Sequence, residues 1–225
     1  MNKYKIELHS HTAESSRCGS IEAVKAVKMY YQAGYSALVI TDHYYTRLFE
    51  KISNLNWKEQ LEKYLKGYRK AKRTAQNLDF EVFLGLEIKF TEDPNEYLVY
   101  GLKEDYLLNN PYLNQLSLKE FRTKTVKDDQ QILIFQAHPF RKNMKPAADE
   151  LLDGLEVYNG NPRHNSRNHK ALEYARKHNL KMISGSDFHE NEDLARGGIS
   201  TQIKLKDIND LLEVLKLDNY KLIKS

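Results

Sequence analysis

The sequence has a single cysteine, Cys18, among its 225 residues, so it can form no intramolecular disulfide, a usage that matches a reducing compartment. No apolar run approaches the length of a membrane span, so no membrane association is expected. Linker-like, low-complexity and repeated stretches are also missing. Charge of one sign is not in excess: 35 Lys and Arg against 31 Asp and Glu leave a net +4. That balance favours an anionic ligand but is too weak, and too evenly spread, to indicate nucleic-acid binding. The first residues, Met1 to His9, enter a strand pattern without a signal-peptide core. One soluble cytoplasmic domain over residues 1–225 is therefore expected, with ordinary apolar (40%) and charged (29%) content.

Strand and helix signals alternate along the chain. Tyr4 to Ser10 reads as a strand. Ser20 caps a helix carrying Ile21, Val24, Val27 and Tyr31, which Gly34 closes. A buried strand, Ser36 to Thr41, precedes one long helix with Trp57, Leu61, Tyr64, Leu65, Tyr68, Ala71 and Ala75 on a stripe. Strands follow at Phe80 to Phe90, broken near Gly85, and at Tyr97 to Leu102. Ser117 and Glu120 form a capping box for the next helix. Strands Gln131 to Ala137, Gly154 to Tyr158 and Lys181 to Ser184, a helix from about Arg163 to His178 and a last helix near Asp207 to Leu217 complete the pattern. Repeated β-then-α order with near-continuous apolar strands predicts a parallel sheet covered by helices. Polar residues at the strand ends favour a closed barrel over an open sheet.

Those strand ends carry the chemistry. Five of the eight histidines and two carboxylates lie there: His9, His11, His43, Glu87, His138, Asp187 and His189. Side chains at i and i+2 of a strand share a face, so His9 with His11, and Asp187 with His189, can each grip one ion. One His-x-His pair is weak evidence. Five histidines and two carboxylates at strand ends are strong evidence, because burying so many ionisable groups without a metal is costly. Imidazole and carboxylate together suit Zn, Mn or Fe. His169 and His178, in a Lys- and Arg-rich helical run, read as solvated.

These residues fall in motifs: Leu8-His9-Ser10-His11-Thr12, Ile40-Thr41-Asp42-His43, Gly85-Leu86-Glu87, Ala137-His138-Pro139 and Gly185-Ser186-Asp187-Phe188-His189. In this content and order the chain resembles the PHP (polymerase and histidinol phosphatase) superfamily. The resemblance implies an α/β fold, a distorted (β/α)7 TIM-like barrel, with two or three divalent metal ions at the C-terminal ends of its strands. It implies metal-dependent phosphoester hydrolysis, with histidinol phosphate, nucleotides, phosphotyrosine or DNA ends as substrates in different members. Carried over by motif, His9, His11, Glu87 and Asp187 surround one metal and His43 and His189 hold a second. Glu87 bridges toward a third that His138 contacts, and Asp187, Glu87 and His189 are the catalytic candidates. Two departures stand out. A further histidine expected after the His-x-His pair is replaced by Ser15, Ser16, Arg17 and Cys18, and one expected on the strand after Glu87 is replaced by Tyr97-Leu98-Val99-Tyr100. The second and third positions are each a ligand short, so a two-metal site is open.

A small anionic phosphate ester needs cationic or hydrogen-bonding partners. Arg141 follows His138 closely. The polar loop from Asn159 through Arg163, His164 and Arg167 leads into a helix whose N-terminus also attracts anions. Arg141, Arg163, Asn159, His164 and Arg167 are the candidate substrate contacts, with surface solvation the competing account of each. Cys18 reads as a buried inert thiol rather than a soft ligand. Asp42 either orients His43 or caps a turn. An amidohydrolase-like C–N hydrolase and a non-catalytic metal-stabilised interaction module are the alternatives. The pattern fixes neither the substrate nor the oligomeric state.

Overall fold

The computed structural model describes residues 4–225. Its strands are β1 (Tyr4–Ser10), β2 (Ala37–Ile40), β3 (His43–Tyr44), β4 (Glu81–Ile88), β5 (Tyr97–Tyr100), β6 (Leu133–Gln136), β7 (Gly154–Asn159), β8 (Lys181–Gly185), β9 (Ile199–Thr201) and β10 (Lys221–Leu222). The helices are α1 (Ala23–Gln32), α2 (Thr46–Glu50), α3 (Trp57–Tyr64), α4 (Lys66–Ala75), α5 (Glu104–Asn109), α6 (Leu118–Lys127), α7 (Asn168–Lys177) and α8 (Ile208–Lys216). No helix among the described residues is long and apolar enough to cross a membrane.

The strands form one sheet in the order β10-β9-β1-β2-β4-β5-β6-β7-β8, with β3 beside β4. Just past β8, Phe188 bridges in parallel to Ser10 of β1, and His11 N donates to the Phe188 carbonyl at 3.0 Å. The sheet thus curls into a nearly closed barrel. The expected all-parallel order fails at β5, which runs antiparallel to both β4 and β6. Four buried apolar residues follow Glu87 after a turn too short for a crossover helix, so the chain can only return antiparallel. Strands β9 and β10 add an antiparallel edge outside β1.

Leu8, Val39, Phe83, Tyr100, Phe135 and Ile183 fill the barrel, and α8 packs Leu211, Leu212, Val214 and Leu215 into the same cluster. The Tyr100 hydroxyl donates to the Leu8 carbonyl at 3.0 Å. Since β5 and β1 are not neighbours, that bond crosses the interior. Outside, Leu38, Ile40 and Val82 pack against α1 and α4, and the outer faces of β4 to β7 pack against α3, α6 and α7.

The capping box at Ser117 and Glu120 is present in full, and Asn56 with Glu59 makes a second. Three helical expectations are corrected. The stripe from Trp57 to Ala75 is two helices that break at Leu65. Next to the break, a Cβ on Gly67 would lie 1.9 Å from Thr12 Oγ1, so α4 approaches the loop after β1 as only glycine permits. Helix α1 begins at Ala23, not at Ser20, whose hydroxyl instead donates to the His189 carbonyl. Helix α7 begins at Asn168, preceded by Arg167 at φ 50°, so residues 160–167 are loop. Gly85 lies inside an unbroken β4.

Candidate metal centre

All seven strand-end candidates converge at one end of the barrel. His9 Nε2 lies 3.2 Å from Glu87 Oε1 and 3.4 Å from Asp187 Oδ1. His11 Nε2 lies 3.4 Å from both Glu87 Oε2 and Asp187 Oδ1. His138 Nε2 is 3.1 Å from Glu87 Oε1, and His43 Nδ1 is 2.8 Å from Glu87 Oε2. Three overlapping groups have donor atoms close enough to share an ion: His9 with Glu87 and His138, His9 with His11 and Asp187, and His11 with His43 and His189. His43 with His189, and Glu87 with His138, share a group as the resemblance implies, while His9 and His11 each belong to two groups and Glu87 lies outside the one formed by His9, His11 and Asp187.

The local backbone is built to aim these groups. The register of β1 against β2 shifts between Glu7 and Ser10, and Leu8 N and His9 N both donate to Glu7 Oε1 at 3.0 Å. A second shift occurs in β7 between Glu156 and Tyr158. Such irregularities re-aim side chains beside sites. His138 and Asp187 adopt positive φ, 30° and 52°, which a non-glycine residue keeps only when its surroundings enforce it. His138 N is held by Glu156 Oε2 at 2.9 Å, and Ser186 N by Glu7 Oε1 at 2.9 Å.

The ring nitrogens are arranged as in metal ligation, where one nitrogen is tied down and the other is left free. His9 Nδ1 pairs with Glu156 Oε1 at 2.8 Å, and His189 Nδ1 donates to the Asp187 carbonyl at 2.8 Å. His9 Nε2, His11 Nε2 and Glu87 Oε2 are buried without a hydrogen-bond partner. Orphaned buried polar atoms are rare. Three of them facing one another fit a divalent cation.

The electrostatics agree. Burial opposes charge on His9, yet Glu156, Glu87 and Asp187 outweigh it and raise its pKa well above the ordinary value. Burial likewise opposes charge on His43, where Glu87 prevails and raises it well above. His11 is driven well below the ordinary value by burial, with His189 and His43 adding to it. Despite burial, Glu87 is held well below the carboxylate range by His9 and His43, and Asp187 by His9, His11 and Arg141.

Above these groups is a cavity of about 350 Å³ whose walls include Cys18, Glu96, Arg141, Asn161, Arg163, His164 and Glu190. Arg141 donates to Asp187 Oδ2 at 2.7 Å, Asn159 Oδ1 at 3.1 Å and Ser166 Oγ at 3.2 Å. Asn159 is buried and also donates to Glu156 and Asp187. Arg163 pairs with both oxygens of buried Asp193 and with Glu192. His164 lines the cavity. Arg167 points elsewhere, donating to the Phe140 carbonyl at 3.1 Å.

A second cavity, of about 640 Å³, shares Cys18, His43 and Glu96 with the first and is walled by Arg17, Arg47, Lys51, Lys89 and Tyr45. Lys89 has Glu96 at 4.0 Å, while Arg17, Arg47 and Lys51 have no ion pair among the described residues.

Several residues that shape the site escape a reading by motif. Glu156 is the one charged residue of β7, and Glu7 sits between the buried Ile6 and Leu8 of β1, the signals that could have flagged them. Glu96 Oε2 lies 3.6 Å from His138 Nε2. Asp42 braces the loop after β1, accepting from Thr12 N, Thr12 Oγ1 and Ser16 Oγ at 2.7 Å each. Cys18 is exposed rather than buried, with Sγ 3.1 Å from His189 Nε2. Burial would raise the thiol, but His189 and His43 bring it down to about 6. His178 is not simply solvated: it pairs with Asp149 at 2.6 Å and stacks on Tyr174.

A family model described as PHP domain matches residues 7–217. Among solved structures, a two-domain protein from Bacteroides vulgatus, described as containing a predicted PHP-like metal-dependent phosphoesterase, aligns with a TM-score of 0.72 at 19% identity. The match covers 98% of this chain and 64% of that one, so this chain spans under two thirds of that protein's length. PsfC from Pseudomonas syringae aligns with a TM-score of 0.71 at 11% identity, over 100% of this chain and 93% of that one. An amidohydrolase from Chromobacterium violaceum with bound sulfate and no metal aligns at 0.55 and 17% identity, over 93% and 96% of the two chains. Identities this low show a shared fold. No curated protein matches the chain.

Proposed function

This chain belongs to the PHP domain family, and from that premise we propose that it is a metal-dependent phosphoesterase acting on a small phosphate ester. The observation that carries the reading is the convergence of five histidines and two carboxylates into three overlapping ligand groups beneath one small cavity. His9, His11 and Asp187 would hold one cation, with Glu87 beside them. His9, Glu87 and His138 would hold another, and His11, His43 and His189 a third. Divalent cations of the Zn, Mn or Fe type, when bound, supply Lewis acidity toward a phosphoryl oxygen and toward water at neutral pH.

The protein's own groups do the rest. Glu156 and the Asp187 carbonyl fix the orientations of the His9 and His189 rings, leaving Nε2 of each directed inward. With His9 and His11, Arg141 offsets the charge of Asp187 and helps to keep it ionised. The unpaired cations Arg17, Arg47 and Lys51 on the second cavity would draw the ester toward the site. His164 stands on the cavity wall, where it would face a bound ester. A cavity of about 350 Å³ suits a small ester better than a polymer end.

The test is hydrolysis of an aryl phosphate by protein loaded with Mn, Zn or Fe, with metal content measured alongside. Activity should vanish with EDTA. Asp187→Ala should lose about a thousandfold in kcat/KM, on the order of 4 kcal/mol in the barrier, together with bound metal. Two or more metals per chain with no ester of a broad phosphate panel turned over would overturn the proposal in favour of a metal-stabilised interaction module.

A further inference from the structure

The His43/His189 side of the centre differs from the His9/Glu87/His138 side in one atom type. We infer that Cys18 is a ligand there, its thiolate joining His43 and His189 to make a soft, zinc-type cation position beside one of nitrogen and oxygen only. The inference takes these side chains as cation ligands, as in the proposed function, but does not depend on phosphate chemistry.

Four observations carry it. First, Cys18 Sγ lies 3.1 Å from His189 Nε2, the ring nitrogen left over once Nδ1 is bound to the Asp187 carbonyl. Second, Cys18 and His43 wall both cavities together, so the thiol opens onto the same space as that imidazole. Third, Glu87 Oε2, buried and without a hydrogen-bond partner, lies 2.8 Å from His43 Nδ1, and the equally unpartnered Nε2 of His11 belongs to a ring stacked on both His43 and His189. Unsatisfied buried groups therefore face this position independently of the cysteine.

Fourth, the turn that presents Cys18 is held on both sides by the same ligand residues. Ser16 Oγ donates to Asp42 at 2.7 Å and accepts from His43 N at 3.0 Å. Ser20 N and Ser20 Oγ both donate to the His189 carbonyl, at 2.9 and 3.1 Å. Gly19 N donates to Ser16 O at 3.0 Å, closing the turn. The thiol is thus positioned relative to His43 and His189 by their own backbone, as a ligand must be. Two imidazoles with one thiolate form a donor set that favours Zn over Mn.

Cobalt substitution tests this directly, because Cys18 is the only cysteine and any thiolate signal has one source. Metal-stripped full-length protein titrated with Co²⁺ should develop a near-ultraviolet thiolate-to-cobalt charge-transfer band that saturates at one equivalent. Cys18→Ser should lose the band. Cys18→His should bind as much cobalt as wild type without it. Should the serine variant fail to fold, alkylation of wild-type Cys18 by iodoacetamide still decides: bound Zn should slow it about tenfold or more, since a coordinated thiolate is a poor nucleophile. Cobalt-loaded, ester-hydrolysing wild type that lacks the band, or alkylation unaffected by Zn, would overturn the role of Cys18 and leave the phosphoesterase reading intact. A chain that binds no cobalt would overturn both.

Discussion

The two basic rims of the cavity invite comparison. The rim built from residues after β6 and β7 carries Arg141 and Arg163, two of the cations that the sequence offers as substrate contacts. Both are engaged: Arg141 at 2.7 Å from Asp187, and Arg163 at 2.6 Å from Asp193. The rim built from the loop after β1 and helix α2 carries Arg17, Arg47 and Lys51, which have no ion pairs among the described residues. A guanidinium already paired with a buried carboxylate has little net field to offer a substrate, whereas an unpaired one adds to the potential over the cavity. Sequence shows that a cation is present, and only the three-dimensional pairing shows whether its charge is available.

The largest effect that separates the rims is expected from Arg141→Ala. Asp187 is 2% exposed, and losing its guanidinium leaves a buried carboxylate short of a partner, a change that costs about 3 kcal/mol. Urea unfolding of chelated protein should show this loss at neutral pH. The folded-state pKa of Asp187 is depressed, so its stabilisation is present above the unfolded value of 3.8 and disappears as pH falls through the folded one. Removing Arg141 raises that folded pKa, so the variant's deficit should be full at pH 7 and should shrink below about pH 4. Unchanged stability combined with a tenfold rise in KM would mean that the Arg141 charge is free after all.

The double reversal Arg47→Glu with Lys51→Glu comes next. Both residues are exposed, so stability should stay within about 0.5 kcal/mol of wild type. KM for an aryl phosphate should rise about tenfold, and its dependence on salt should weaken. An unchanged KM and salt dependence would show that the second cavity is a solvated surface and that the comparison of rims has no functional content.

How much of this was legible follows the same division. Each of the seven ligand candidates ends an apolar run, and burial of such a run fixes where its last residue points, so the barrel and its floor could be read from the pattern. Partnerships across the fold left no such mark. Glu7 acts on Ser186 and Glu156 on His138, through bonds to backbone amides far away in sequence. The pairing of Arg163 with Asp193, thirty positions on, left no sign in the sequence. The direction of β5 was hidden because Tyr97-Leu98-Val99-Tyr100 is apolar on both faces and so reads alike either way. Cys18 was read as inert because a thiol's neighbours, not its own sequence surroundings, decide its exposure and its partners.

The smallest expected effect is the most discriminating, because Arg163 lines the cavity and yet is not expected to act on substrate. Its guanidinium meets both oxygens of Asp193, and Asp193 Oδ2 in turn accepts from His189 N and Glu190 N at 2.8 Å each. In Arg163→Ala the buried carboxylate keeps those two amide donors, so the turn that carries His189 should hold its shape. The pair is partly solvated, with Arg163 at 29% exposure, which limits the loss to about 1 kcal/mol. KM should change less than about twofold, because the charge removed was already neutralised by Asp193 and Glu192. Thermal unfolding and steady-state kinetics on the same preparation decide the matter. A several-fold rise in KM at unchanged stability would place the Arg163 charge on the substrate and restore the first rim as the anion-binding one.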